Sequence, residues 1–258
     1  MLHAPVKRIV SDAKGAVLFV HGIVSTPRFF DDFVAAVPPD WSVHSLLLPG
    51  HGGTVTDFGR SSLKAWTAHV RAAIAELRQR HERVYIVAHS LGTLLSLCEV
   101  VRDDRCIAGL LLLCVPLRIR VKPSALLHNA LKGLGLAEKG PELASYYGTS
   151  QDWRVWRYLR WIPRYLELFA VSAAARKAVK SLSVPGRVFM AGRDELVSLR
   201  SMREMEHLPA VTCAVLPDSM HHDFAPKDKA ALLTAMADMC GWGSDANGEC
   251  SGDRQQKK

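Results

Sequence analysis

The sequence has no long apolar run. Its longest nearly unbroken one, residues 107–117 (IAGLLLLCVPL), is 11 residues, well short of the roughly 20 that a bilayer-spanning helix needs, so no transmembrane helix is expected. Cys-x-x-Cys pairs are missing too: the six cysteines stand at 98, 106, 114, 213, 240 and 250, the first three in or beside apolar stretches. That pattern predicts buried free thiols in a reducing, cytoplasmic compartment rather than a disulfide frame or a metal site. The N-terminal stretch MLHAPVKRIVSDAKGAVLFVHG splits its basic and apolar parts with Ser11, Asp12 and Lys14 and lacks a small-residue cleavage pattern, so a signal peptide is not expected. With 48% hydrophobic and 22% charged residues, the low-hydrophobicity signature of disorder is absent as well. What is present is 258 residues, enough for one large domain or two small ones. There is also a surplus of 33 Lys and Arg over 25 Asp and Glu, or +8, which admits nucleic acid, an anionic membrane or an acidic substrate as partner.

Short apolar runs alternate with amphipathic stretches. Residues 16–20 (AVLFV), 42–48, 84–88 (VYIVA), 107–115, 187–191 (RVFMA) and 211–216 (VTCAVL) read as strands. Helices are expected from about Pro27, over 61–80, where Leu63, Trp66, Val70, Ile74 and Leu77 recur at helical spacing, over 91–101, and near 226–239. Continuously apolar strands between helices imply a mostly parallel sheet covered on both faces, an α/β fold. Residues 117–183 hold no convincing strand and are interrupted by Gly133, Gly135, Gly140, Pro141 and Pro163. They read as a helical cap inserted between two parts of a core, 1–116 and 184–240, while the polar, Gly-rich tail 241–258 is expected to be disordered.

The segment VYIVAHSLGTLLSL (84–97) carries the chemistry. A serine between a buried strand and a helix sits on a sharp turn that raises its hydroxyl above the sheet, and the residues two before and two after must be small. Around Ser90 these are Ala88 and Gly92. The bland alternative is a helix N-cap serine. A hydroxyl is a weak nucleophile that needs a base, and the base needs an orienting carboxylate; on a parallel sheet all three come from loops at the carboxyl ends of strands. Asp194 follows the strand RVFMA and His221 the strand VTCAVL, with Glu195 and His222 as their neighbouring alternatives. Asp103 and Asp104, at the far end of the helix after Ser90, read as a solvated turn. Oxyanion donors are expected from the backbone amides of Leu91, next to the nucleophile, and Ile23, in the His21-Gly22 loop. His21 is expected to brace that loop.

With these residues placed, the sequence resembles the α/β-hydrolase superfamily, and within it the small bacterial carboxylesterases and monoacylglycerol lipases. The likeness is carried by FVHGIVSTPRFF, LLLPGHGGT, AHSLG, GRDELV and the Ser219-x-His221 pair, in that order along the chain. The resemblance implies an α/β-hydrolase fold, with Ser90 as nucleophile, Asp194 and His221 as its partners, Ile23 and Leu91 as oxyanion donors, and no cofactor or metal. Ala88 departs from the glycine usual there. The expected activity is hydrolysis of carboxylic esters of short to medium acyl chain, monoacylglycerols among the candidates. A thioesterase or acyltransferase using the same residues is the alternative, and a non-catalytic binding protein the remote one.

The charge is not spread evenly. Residues 117–183 hold twelve Lys or Arg against four Asp or Glu, a surplus of +8 that leaves the remainder neutral. Within them, Val155, Leu159, Ile162, Leu166 and Phe169 share one helical face, with Arg154, Arg157, Arg160 and Arg164 opposite and Trp153, Trp156 and Trp161 alongside. Pro163 is expected to kink or divide the segment. The apolar face is expected to roof an acyl pocket with the arginines solvated; a weak contact of the Trp and Arg side with an anionic membrane surface is the alternative. Nucleic acid is not expected, because no recognition motif accompanies the charge.

Overall fold

The computed structural model describes residues 3–120 and 154–242. Seven strands, β1 (Val6–Arg8), β2 (Ala16–Val20), β3 (Ser42–Ser45), β4 (Val84–His89), β5 (Ile107–Leu113), β6 (Gly186–Ala191) and β7 (Val211–Leu216), form one sheet in the order β1-β3-β2-β4-β5-β6-β7. Every neighbouring pair is parallel except β1 on β3. The helices are α1 (Asp31–Ala35), α2 (Val55–Arg60), α3 (Leu63–Arg78), α4 (Leu91–Arg102), α5 (Ile162–Ala178) and α6 (Pro226–Cys240).

Alternate residues of the central strands enter opposite cores, which is why these strands are apolar without interruption. Leu18, Ile86 and Leu110 pack with Trp66, Leu77, Leu94 and Val171 on one face. Phe19, Val87 and Leu111 pack with Phe29, Phe30, Phe33, Leu232 and Met236 on the other. Each such side chain contributes about 1.5–3 kcal/mol on burial. Strand β2 runs to β3 on one side and β4 on the other, so the chain changes direction across the sheet between β2 and β4. Loops leaving the carboxyl ends of strands diverge at such a point and open a crevice.

The expected strands and long helices are present, with shifted ends: β3 stops at Ser45 and α3 spans Leu63–Arg78. Among the strands and α-helices, two are not expected from the sequence. Strand β1 is a three-residue exposed edge, tied down by the Arg8 side chain, which donates to the carbonyls of Val37, Pro38 and Trp41. Helix α2 is opened by a capping box between Thr54 and Asp57. The thiols correct the sequence reading in part: Cys98, Cys106, Cys114, Cys213 and Cys240 are all free, yet Cys106 is exposed. Asp103 pairs with Arg78 and Arg105 beyond the end of α4. Among the described residues no helix is long and apolar enough to cross a membrane.

Of the expected cap, 121–153 lies outside the described residues, as does 243–258 of the expected tail. Pro163 falls at a division: a 3-10 turn over Val155–Trp161 gives way to α5, with the proline in its first turn. The orientation of this stretch differs from expectation. Trp161 points inward, donating from Nε1 to the Val55 carbonyl at 2.9 Å and lying edge-on to Phe58. Arg164 also turns in, donating to the Gly59 and Ser61 carbonyls and pairing with Glu167. Leu168, Val171, Ala175 and Val179 are the buried apolar residues. Leu159, Ile162, Leu166 and Phe169, expected as the roof of a pocket, are exposed. The helix has apolar residues on two sides, and the core takes the side that also gives Arg164 two backbone acceptors, the Gly59 and Ser61 carbonyls.

Candidate active site

Strand β4 ends at His89 and α4 begins at Leu91, so one residue makes the turn. That residue is Ser90, at φ 49° and ψ −120°. A non-glycine residue rarely adopts such a conformation, which costs of order 1–3 kcal/mol and persists only where neighbours enforce it. Here the Ser90 amide donates to the Leu113 carbonyl at 2.9 Å, and its own carbonyl accepts from the Thr93 amide and hydroxyl. Its side chain makes no cap hydrogen bond, so the N-cap alternative does not describe it. The turn is tight enough that a Cβ on Gly92 would overlap the Val20 carbonyl oxygen, with His21 O only 2.8 Å away.

The Ser90 hydroxyl lies 3.0 Å from His221 Nε2, and His221 Nδ1 lies 2.7 Å from Asp194 Oδ2. Asp194 sits just beyond β6 and His221 just beyond β7. The other Asp194 oxygen accepts from the amides of Leu196 and Val197, both at 2.8 Å. Burial alone pushes the Asp194 carboxyl up, but the His221 ring and the two amides outweigh it and hold it below the usual carboxylate range. It therefore stays charged beside the imidazole. Glu195, the neighbouring alternative, accepts instead from the His221 backbone amide at 3.3 Å. His222 stands perpendicular to His221, 4.7 Å between ring centres. The loop carrying His221 is clamped to α6 by Ser219, whose hydroxyl donates to the buried Asp228 at 2.6 Å and accepts from the Ala225 amide.

The loop after β2 faces this chain of hydrogen bonds; a Cβ on Gly22 would lie 3.0 Å from Ser90 Cβ. His21 holds it, donating from Nδ1 to the Gly22 carbonyl at 2.8 Å and accepting from the Leu48 amide at Nε2. A turn closed by Ser25 N to Gly22 O places Val24 at φ 56°, a strained setting for a β-branched residue. Ile23 lies in that turn. Leu91 opens α4, where helix geometry leaves the amide without an intrahelical acceptor.

His89 was not singled out by the sequence reading. It is fully buried, stacked on Phe29 with 4.1 Å between ring centres, and its Nε2 donates to the His221 carbonyl at 2.9 Å. Burial, then the neighbouring His221 and His222, hold it well below the ordinary histidine range, hence neutral. The available signal was its position, a polar residue between an apolar strand and the serine. His89→Leu is expected to leave that carbonyl unpaired, lowering stability by about 1–3 kcal/mol in urea unfolding and turnover about tenfold, while His89→Gln, which keeps a donor, falls between. Unchanged turnover in His89→Leu would show that the bond does not matter to the site.

One ligand-capable atom each from His89, Cys114 and His221 lie within 4.8 Å of one another. Both His221 nitrogens already serve Ser90 and Asp194, so a metal there would compete with that chain.

A mostly parallel sheet with a serine on a strained strand-to-helix turn and its acid and histidine after the following strands defines the α/β-hydrolase class. The Alpha/beta hydrolase family model matches residues 17–234, and the chain belongs to that family. Among solved structures it resembles one reported for the metagenome-derived lipolytic enzymes LipS and LipT, at 19% identity and a TM-score of 0.68 over 91% of this chain and 96% of that one. The monoacylglycerol lipase of Paleococcus ferrophilus aligns at 16% identity and 0.62, over 93% and 99%. The haloalkane dehalogenase DbeA of Bradyrhizobium elkani aligns at 17% and 0.64, over 95% and 99%. No curated protein matches it significantly.

Proposed function

We propose that this hydrolase-family protein cleaves carboxylic esters of short to medium acyl chain, monoacylglycerols among them, through an acyl-enzyme on Ser90. The observation that carries the reading is the buried chain from Ser90 Oγ through His221 to Asp194, at 3.0 and 2.7 Å. As Oγ attacks the ester carbonyl, its proton passes to His221 Nε2, and Asp194 steadies the imidazolium from Nδ1. The carbonyl electrons move to oxygen, which the Ile23 and Leu91 amides receive. Collapse breaks the bond to the alkoxide, which takes the proton from His221. Water then repeats the sequence on the acyl-serine and frees the acid. A serine also argues against halide displacement: attack on a saturated carbon would leave a serine ether that water does not cleave.

A fluorophosphonate probe is expected to label the folded protein stoichiometrically, and p-nitrophenyl esters of two to ten carbons to be turned over. A folded but unreactive protein would sink the proposal. Faster turnover of acyl-thioesters than of matched oxygen esters would replace it with a thioesterase.

A further inference from the structure

The face turned outward by the 3-10 segment and α5 is the largest concentration of exposed apolar side chains among the described residues. Six of the ten large ones, Trp156, Leu159, Ile162, Tyr165, Leu166 and Phe169, fall within residues 156–169. Leu159, Ile162, Leu166 and Phe169 recur at intervals of three and four, and each is 52% to 65% exposed. Scattered exposed apolar residues need no explanation, but a contiguous stripe on one helix marks an interaction surface.

Its charge narrows the partner. Residues 154–180 hold seven Lys or Arg against one acid, Glu167; Arg164 turns in to that carboxylate, and Arg160, Lys177 and Lys180 are the exposed cations. A two-fold pairing with a second copy would set two such cationic surfaces against each other. A partner rich in negative charge is favoured instead, and it must accept an apolar stripe edged by Trp156 and Tyr165. Tryptophan and tyrosine are the residues that settle at the boundary between headgroups and hydrocarbon. A helix lying flat in that boundary has this composition: large apolar residues on the buried face and Arg or Lys beside them. Inward contacts through Trp161 and Arg164 fix the helix to α2 and the start of α3, so the stripe faces out from a held element.

We propose that this face docks the protein on an anionic lipid surface. The partner is thereby a phospholipid bilayer rather than nucleic acid or a second copy. Binding is read without turnover, so its failure leaves the catalytic proposal standing. In sedimentation with phosphatidylcholine vesicles containing 30% phosphatidylglycerol, the whole protein is expected to bind at least tenfold more tightly than to phosphatidylcholine alone, with most of the difference lost in high salt. The triple variant Leu159→Ser, Leu166→Ser, Phe169→Ser should lose at least tenfold in binding while keeping the parent's thermal midpoint, since all three side chains are exposed. Arg160→Gln with Lys177→Gln, both exposed, should lessen the preference for anionic vesicles. Absence of parent binding, or binding unchanged in the triple variant, would overturn the proposal. So would a parent dimer in gel filtration that the triple variant dissociates, because the face would then belong to a second copy.

Discussion

Ser90→Ala is expected to abolish fluorophosphonate labelling and to lower ester turnover by at least about 10⁴-fold with the fold intact. The magnitude follows from the mechanism: without Oγ there is no acyl-enzyme, and what survives is the residual effect of binding and oxyanion donors. The substitution is mild structurally. Ser90 owes its conformation to backbone bonds with Leu113 and Thr93, and its hydroxyl serves no helix cap, so alanine loses one hydrogen bond, to His221. A stronger check is non-additivity. If Ser90, His221 and Asp194 act as a unit, the double variant Ser90→Ala, His221→Ala should be no slower than Ser90→Ala alone. A double variant slower by the product of the two single losses would mean that the groups act separately, and labelling retained in Ser90→Ala would place the nucleophile elsewhere.

What could be read in the sequence, and what could not, follows from the range of the forces involved. The central strands were legible because both their faces are buried, so Leu18 and Phe19, or Ile86 and Val87, had to be apolar in succession. Ser90, Asp194 and His221 were legible because a parallel sheet delivers loops to one edge in chain order, and the structure brings those three side chains within hydrogen-bond distance. Strand β1 was not, since it is three residues long and held by the long reach of Arg8 to carbonyls about thirty residues away. His89 was hidden for a similar reason: its partner is the backbone of His221, 132 residues on. Periodicity located the stripe of Leu159, Ile162, Leu166 and Phe169 but not its direction. A helix with Leu168, Val171 and Ala175 on its other side can be docked either way, and the acceptors offered to Trp161 and Arg164 by Val55, Gly59 and Ser61 select one.

Stability is expected to fall steeply as the pH drops from about 6.5 toward 4, before most carboxylates are protonated. Three histidines are folded in the neutral form. His51 is held to about 4 chiefly by burial, against 6.5 when free. His21 and His89 are held well below 6.5, again with burial as the first cause. The hydrogen bonds agree. His21 accepts the Leu48 amide at Nε2 while donating from Nδ1, so a second proton would set N–H against N–H and break the brace on the loop that holds Ile23. Nε2 of His89 is the donor to His221 O, and its Nδ1 is buried without a partner. In this window the unfolded chain binds protons that the folded protein does not, so stability is full above the unfolded value and declines as pH falls. Each histidine removes about 1.4 kcal/mol per pH unit. For His51 the loss runs down to about pH 4, and His21 and His89 add to it in the same direction. Urea unfolding at half-unit steps from pH 8 to 5 measures the slope. His51→Phe, which keeps an aromatic ring against Phe58 and Trp66, should make the slope shallower, whereas a parent whose unfolding free energy stays flat between pH 7 and 5 would refute the assignment of neutral histidines.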